Sequence, residues 1–189
     1  MIGRQGRWTP GREARVLPLA FFCLLGVCVG QVLALFLPDS VERELYRYVT
    51  AYRPEDAVLL SAAARTVAAY FAYPALALAL SSLPRGLPFL YGEAAVMGFV
   101  RGFTAACFAG AFGSGGAALA GAVLGIRCAV TVPCFFLAAS LGAPRHRGRP
   151  VRVPRDKLAA IALALLGGAL AEVALVPSLI RLALAAVGA

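Results

Sequence analysis

Arg101, Arg127 and Glu172 are ionisable side chains deep inside long, mainly apolar stretches. None can be assigned to a loop without destroying a segment of the ~20 apolar residues that a membrane helix needs. An unpaired charge at mid-bilayer costs at least ~2.5–3.5 kcal/mol, so these groups require partners. At ~1.5 Å of rise per residue, Arg101 lies roughly 18 Å from one face, Glu172 roughly 21 Å from the same face, and Arg127 roughly 15 Å from the other. In a ~30 Å core these depths coincide. The expected construction is a Glu172 carboxylate bridging both guanidiniums, with Glu93 partly balancing Arg101. Such a cluster can fix helix register, line a proton or ion path, or receive the membrane helix of a partner.

The other reactive residue types are sparse. Cys23, Cys28, Cys107, Cys128 and Cys134 all fall in apolar runs and show neither C-x-x-C nor Cys/His spacing, so they read as small packing residues. The single histidine, His146, lies in a basic loop with no second imidazole or thiol to share a metal. There is no Ser/His/Asp set, no paired carboxylates in a folded extramembrane domain and no phosphate loop, and the segments between runs are too short to build a catalytic domain. The sequence therefore predicts a protein that is not an enzyme and needs no cofactor or metal.

The elements that must carry the charges are five apolar runs, at 17–37, 58–83, 89–112, 117–141 and 158–186. With 61% hydrophobic residues in a 189-residue chain and a mean hydropathy of +0.81, an ordinary soluble globule is excluded. The fold class expected is all-α, a polytopic membrane bundle of five spans forming one domain over 1–189. The net charge of +9 could suggest nucleic acid, but most of the cations sit in short segments beside the runs and lack an interleaved aromatic face. Their expected partner is instead the lipid headgroup layer. Arg4, Arg7, Arg12, Arg15, Arg85, Arg145, Arg147, Arg149, Arg152, Arg155 and Lys157 all fall in alternate gaps. The positive-inside bias makes those gaps cytoplasmic, with the amino terminus in and the carboxy terminus out. The first run reads as a retained signal anchor, because no small-residue cleavage site precedes Pro38.

Between the first two runs, 39–52 reads as a short external helix begun by Asp39 or Ser40. Val41, Leu45, Tyr48 and Tyr52 form an apolar stripe opposite Glu42, Arg43 and Arg47. It suits either the membrane interface or a partner, and Glu42, Arg43, Leu45, Arg47 and Tyr48 are the candidate docking residues. Arg65 lies near enough to the outer end of the second run to snorkel outward. The basic segment 142–157 joins runs four and five, while 84–88 and 113–116 are tight turns that force runs two, three and four into antiparallel contact. Small residues at four-residue spacing mark expected helix contacts: Gly26 and Gly30, Gly98 and Gly102, and Ala117, Gly121 and Gly125.

In this order the motifs resemble the stage II sporulation protein M family of membrane proteins from endospore-forming bacteria. The 40–49 segment SVERELYRYV looks like the external helix after that family's first span. Gly86-Leu87-Pro88 followed by Gly102-Phe103-Thr104, with Gly98 between, is similar to its third span. Pro133 before an aromatic-aliphatic stretch resembles its fourth, and Glu172 with Pro177 its last. Arg101 and Arg127 depart from that pattern, so no role for them follows from it. The resemblance implies a non-enzymatic anchor in the bacterial cell membrane that holds stage II sporulation proteins P and D, the peptidoglycan-degrading partners, during engulfment. The wider family also includes members associated with ABC-type transport, which keeps a permease-like subunit open as the alternative. Whether copies of the chain associate with one another is not legible in the sequence.

Eleven cations in the cytoplasmic gaps against Arg43, Arg47 and Arg53 outside give a direct expectation. A reporter fused after Arg149 will behave as cytoplasmic and one fused within 39–56 as external. The reverse pattern at both sites would invert the orientation.

Overall fold

A computed structural model of the chain describes residues 10–38, 40, 43–45, 47, 59–83, 85–141 and 154–187. Five helices account for nearly all of them: α1 (Pro10–Ala34), α2 (Leu59–Ser82), α3 (Leu87–Phe112), α4 (Gly116–Leu141) and α5 (Arg155–Val187). A single 3-10 turn, Gly113–Gly115, joins α3 to α4. Each of the five is long and apolar enough to cross a membrane. The protein is an all-α helical bundle, as the apolar runs predict.

The helix limits differ from the runs mainly in α1, which begins at Pro10 and ends at Ala34, three residues before the run does. Leu35 and Phe36 already form a turn there, closed by hydrogen bonds from Leu35 N to Val32 O and Phe36 N to Leu33 O. Hydropathy continues past the helix end because apolar residues also suit the interface. Pro18, Pro74, Pro133 and Pro177 lie within helices, a placement membrane helices tolerate because neighbouring groups re-satisfy the freed carbonyl. Of the predicted external helix 39–52, Ser40, Arg43, Glu44, Leu45 and Arg47 are described and helical. The remainder, Glu42 and Tyr48 included, lies outside the described residues.

Successive helices run up and down, and three apolar clusters hold them. Leu19, Ala77, Leu90 and Ala138 bring α1, α2, α3 and α4 together at one end. Phe108, Phe112, Leu119 and Ala120 close the α3–α4 hairpin at the other, and Leu45 packs against them. Tyr70, Cys134, Leu165 and Ala169 join α2, α4 and α5 between. Only 17% to 28% of each span is buried within the chain, and Leu17, Phe21, Leu24, Phe89 and Leu163 are all more than half exposed. Apolar side chains facing outward in such numbers require lipid as the surrounding solvent.

Hydrophobic burial cannot drive helices together in lipid, so close backbone packing must. The most extensive helix pair, α1 with α3, shows how. Gly26 and Gly30 lie against the backbone of Ala95 and Phe99, while Gly98 and Gly102 lie against that of Cys23 and Val27. Residue number rises in step on both helices, so the pair is parallel and its four glycines mesh reciprocally. A methyl group at any of the four would run into a main-chain oxygen of the partner helix, which cannot rotate aside. Gly121 and Gly125 of α4 behave otherwise. Both are exposed, and an added Cβ would meet nothing within 4 Å. The expectation that they form a helix contact is therefore corrected: their face points away from every other described helix.

This contrast is testable by alanine substitution. Gly26→Ala, Gly98→Ala and Gly102→Ala should each lower the thermal unfolding midpoint in detergent, at an overpacking cost of about 1–3 kcal/mol. Gly121→Ala and Gly125→Ala should stay within about 0.5 kcal/mol of the parent protein.

Candidate functional site

The intramembrane charges are positioned by two helix seams. Helices α4 and α5 run antiparallel, with Val130 opposite Gly168 and Arg127 opposite Glu172. Gly168 permits the approach: a Cβ there would stand 2.8 Å from the Tyr70 ring and 2.9 Å from Val130 Cγ1. At this spacing the Arg127 guanidinium reaches Glu172 side-on. Its Nε donates to Oε2 at 3.1 Å and its Nη2 to Oε1 at 2.5 Å. The two parallel bonds form the bidentate fork that makes arginine the strongest carboxylate partner. The Glu172 side chain is 13% exposed and that of Arg127 36%, so the carboxylate is the more enclosed partner. Tyr70 caps the pair, its ring centroid 5.7 Å from Arg127 Cζ. The buried Tyr70 hydroxyl is near enough to Glu172 to interact electrostatically, but without a hydrogen bond of ordinary geometry.

Arg101 is held differently. The structure does not bring it to Glu172, which corrects the expectation of one carboxylate bridging two bases. Arg101 Nη2 instead donates to Thr131 Oγ1 at 2.5 Å, and Nη1 donates to the carbonyl of Met97 at 3.1 Å. The Thr131 hydroxyl in turn donates to the Arg127 carbonyl at 2.7 Å. A Tyr73 ring lies 5.6 Å from Arg101 Cζ, within cation–π range. The result is a continuous chain of donors and acceptors running from α3 through α4 to α5. Arg101 Nε is buried and unsatisfied. Glu93 does not balance it. On the same face of α3 Glu93 lies two turns, about 12 Å, away, with buried Met97 between them. Neither Glu93 oxygen, both buried, has a hydrogen-bond partner.

Thr131, Gly168, Tyr70 and Tyr73 complete this network, and the sequence reading did not single them out. Thr131 is 1% exposed. Its spacing of four from Arg127 was the available signal, since a threonine one turn beyond a buried arginine shares its face. Gly168 stands four residues before Glu172 and on its face, the same kind of signal. Of the docking candidates, Leu45 is half-buried against the Phe108 and Phe112 cluster. Arg43 and Arg47 are exposed, and Arg47 Nη1 lies 3.9 Å from Glu44 Oε2. Among the cysteines, Cys134 is buried beside Leu165, and the Cys23 backbone lies against Gly98.

The comparisons with known proteins return no match: no family model fits the chain, and no curated protein or solved structure is similar to it. The resemblance to stage II sporulation protein M thus rests on its short motifs. In the structure these fall at the start of α3, along the glycine seam and in the middle of α4 and α5.

A double-mutant cycle separates pairing from burial. Glu172→Gln and Arg127→Gln should each lower stability in detergent, toward about 3–5 kcal/mol if the remaining charge stays as buried as in soluble proteins. The Arg127→Gln/Glu172→Gln double variant should recover most of that loss. Thr131→Val, which removes the acceptor of Arg101 Nη2, should cost about 1–3 kcal/mol. Additive single effects would show that the fork contributes no coupling.

Proposed function

We propose that the chain is a non-enzymatic membrane scaffold that holds a partner at the outer surface of the bacterial cell membrane. By its resemblance to stage II sporulation protein M, the partner class is peptidoglycan-degrading enzymes at engulfment. The observation that carries this reading is the seating of Leu45 on the Phe108, Phe112, Leu119 and Ala120 cluster. Leu45 is thereby tied to the bundle end, and Arg43, Glu44 and Arg47 beside it are exposed.

The membrane-embedded part supports the same reading. Two of its arginines are committed across helices, Arg127 to a carboxylate and Arg101 to a threonine. That ties α3, α4 and α5 into one body, to which the glycine seam joins α1. A rigid bundle carrying a seated outer segment does what localisation requires: it raises the effective concentration of a bound partner beside its substrate. The orientation follows from the charge bias, which puts the 113–115 turn and Leu45 outside and the 142–154 connection in the cytoplasm.

Photo-crosslinking residues placed singly at 43, 44 and 47 in sporulating cells test the proposal, followed by detergent solubilisation and affinity capture. Crosslinks to a wall hydrolase are expected, and charge reversal at Arg43 and Arg47 should weaken capture without reducing membrane insertion, because rim charges tune association more than folding. Capture of an ATPase instead would indicate a transporter subunit. Hydrolase crosslinks only from the 142–154 connection would place the docking surface at the wrong end.

A further inference from the structure

The Arg127–Glu172 fork leaves part of its guanidinium unused, because an arginine has more N–H donors than a bidentate fork takes up. Nε and Nη2 donate to the carboxylate, and among the described residues no acceptor meets Nη1. The Arg127 side chain is 36% exposed, and Nη1 is not among the enclosed polar atoms that lack a partner. It therefore faces out of the bundle, roughly 15 Å below the outer face by rise per residue. A long cationic side chain ordinarily escapes such a depth by snorkelling. Here the two bonds to Glu172 hold it in place. In a layer with no water to receive them, the uncovered donors call for an acceptor from outside this chain.

The surface beside the fork is uncovered as well. From Leu170 to Leu182 on α5 and from Ala63 to Ala69 on α2, no described residue is buried. The outer half of α4, by contrast, is closed against α3 by Phe108, Phe112, Leu119 and Ala120. Leu175 and Leu179 follow Glu172 on its own face of α5, one and two turns toward the outer end, and are 51% and 38% exposed. A further helix laid along this face would cover both leucines and reach the guanidinium.

Charge selects the occupant. Against lipid, an acceptor reaches this depth on a helix, since other backbone cannot satisfy its own polar groups there, whereas the acceptors of phospholipids lie in the headgroup layer. Arg101 and Arg127 share one paired carboxylate, so one positive charge is left over, and the complementary group is a second carboxylate. Another copy of this chain cannot supply it. The only acids inside the apolar runs are Glu93 and Glu172; Glu93 is 7% exposed, and Glu172 is already in the fork. A second copy would bring another unmatched guanidinium.

We propose that the outer half of the α2–α5 face receives the transmembrane helix of a different protein, which carries an Asp or Glu at mid-bilayer depth and bonds Arg127 Nη1 through that carboxylate. The site stands apart from the scaffold reading, since a wall hydrolase and a transport partner would reach it by the same chemistry without touching the 43–47 segment.

The probe is a synthetic transmembrane peptide of about twenty leucines with one central Glu and a benzophenone one turn away. It is reconstituted with the full chain in phosphatidylcholine vesicles, dilute enough to remain monomeric, beside peptides with Gln or Leu at the centre. By energy transfer the Glu peptide should associate about tenfold more tightly than the Leu peptide, the scale of one polar contact between membrane helices. Its crosslinks should map to 170–179 of α5 and 63–69 of α2. Arg127→Gln/Glu172→Gln, which removes the guanidinium without stranding a charge, should reduce the Glu peptide to the level of the Leu peptide. Equal association of the Glu and Leu peptides, undiminished association in the double variant, or crosslinks on the outward face of α1 would overturn the site. So would chain-to-chain crosslinks from a benzophenone at position 175 in the absence of peptide, because a second copy would then hold this face. If the double variant fails to insert, the peptide comparison and the crosslink map on the parent protein decide alone.

Discussion

A guanidinium inside a bilayer has to be met by acceptors on the neighbouring helices, and the Arg127–Glu172 fork is where this chain meets that demand most completely. Its geometry fixes the axial register of α4 against α5, because two parallel bonds at 3.1 and 2.5 Å cannot both survive a one-residue slip. The register sets Val130 and Tyr70 around Gly168, the position with no side chain to move aside. One turn along α4 from Arg127 it also leaves the Thr131 hydroxyl facing α3, where Arg101 can reach it. Tertiary order in α2, α3, α4 and α5 thus follows from one ion pair and its consequences.

The α1–α3 seam works by a different principle. It contains no charge, and its adhesion comes from backbone surfaces brought into contact by four meshed glycines. A glycine seam tolerates no added atom but is indifferent to the polarity of its surroundings. An ion pair tolerates small displacements poorly in angle yet supplies a large directional force. Combining the two lets α1 dock as a separate unit on a surface of α3 that the network has already oriented, since Gly98 and Gly102 flank Arg101 and belong to the same helix.

Much of this was legible in the sequence. The five helices follow from apolar length alone, and the common depth of Arg127 and Glu172 follows from counting rise per residue. What failed was assignment by face. Four-residue glycine spacing occurs in α1, α3 and α4, yet only the first two cover each other, since spacing states that a face is smooth and not that another helix lies on it. Depth likewise placed Arg101 level with Glu172, but α4 intervenes in azimuth, so Thr131 intercepts the guanidinium. Azimuth depends on which helices are neighbours, and that is decided by packing of the whole bundle. In the 39–52 segment the sequence marked Leu45 as apolar and turned toward the membrane interface or a partner, whereas it packs on the Phe108 and Phe112 cluster, residues more than sixty positions away.

The network also bears on what kind of membrane protein this can be. Two guanidiniums and one paired carboxylate leave a formal excess of one positive charge within the α3–α4–α5 cluster. That excess is spread over dipoles: the Met97 carbonyl, the Thr131 hydroxyl and the face of Tyr73. A path that moved protons or ions through this layer would have to break the fork during each cycle, exposing Arg127 and Glu172 separately to a medium in which each costs at least ~2.5 kcal/mol. Because the same fork sets helix register, each opening would also loosen α4 from α5. A closed network of this kind favours a body that keeps its shape while something else acts upon it, which is the mechanical property a localising scaffold needs at its outer face.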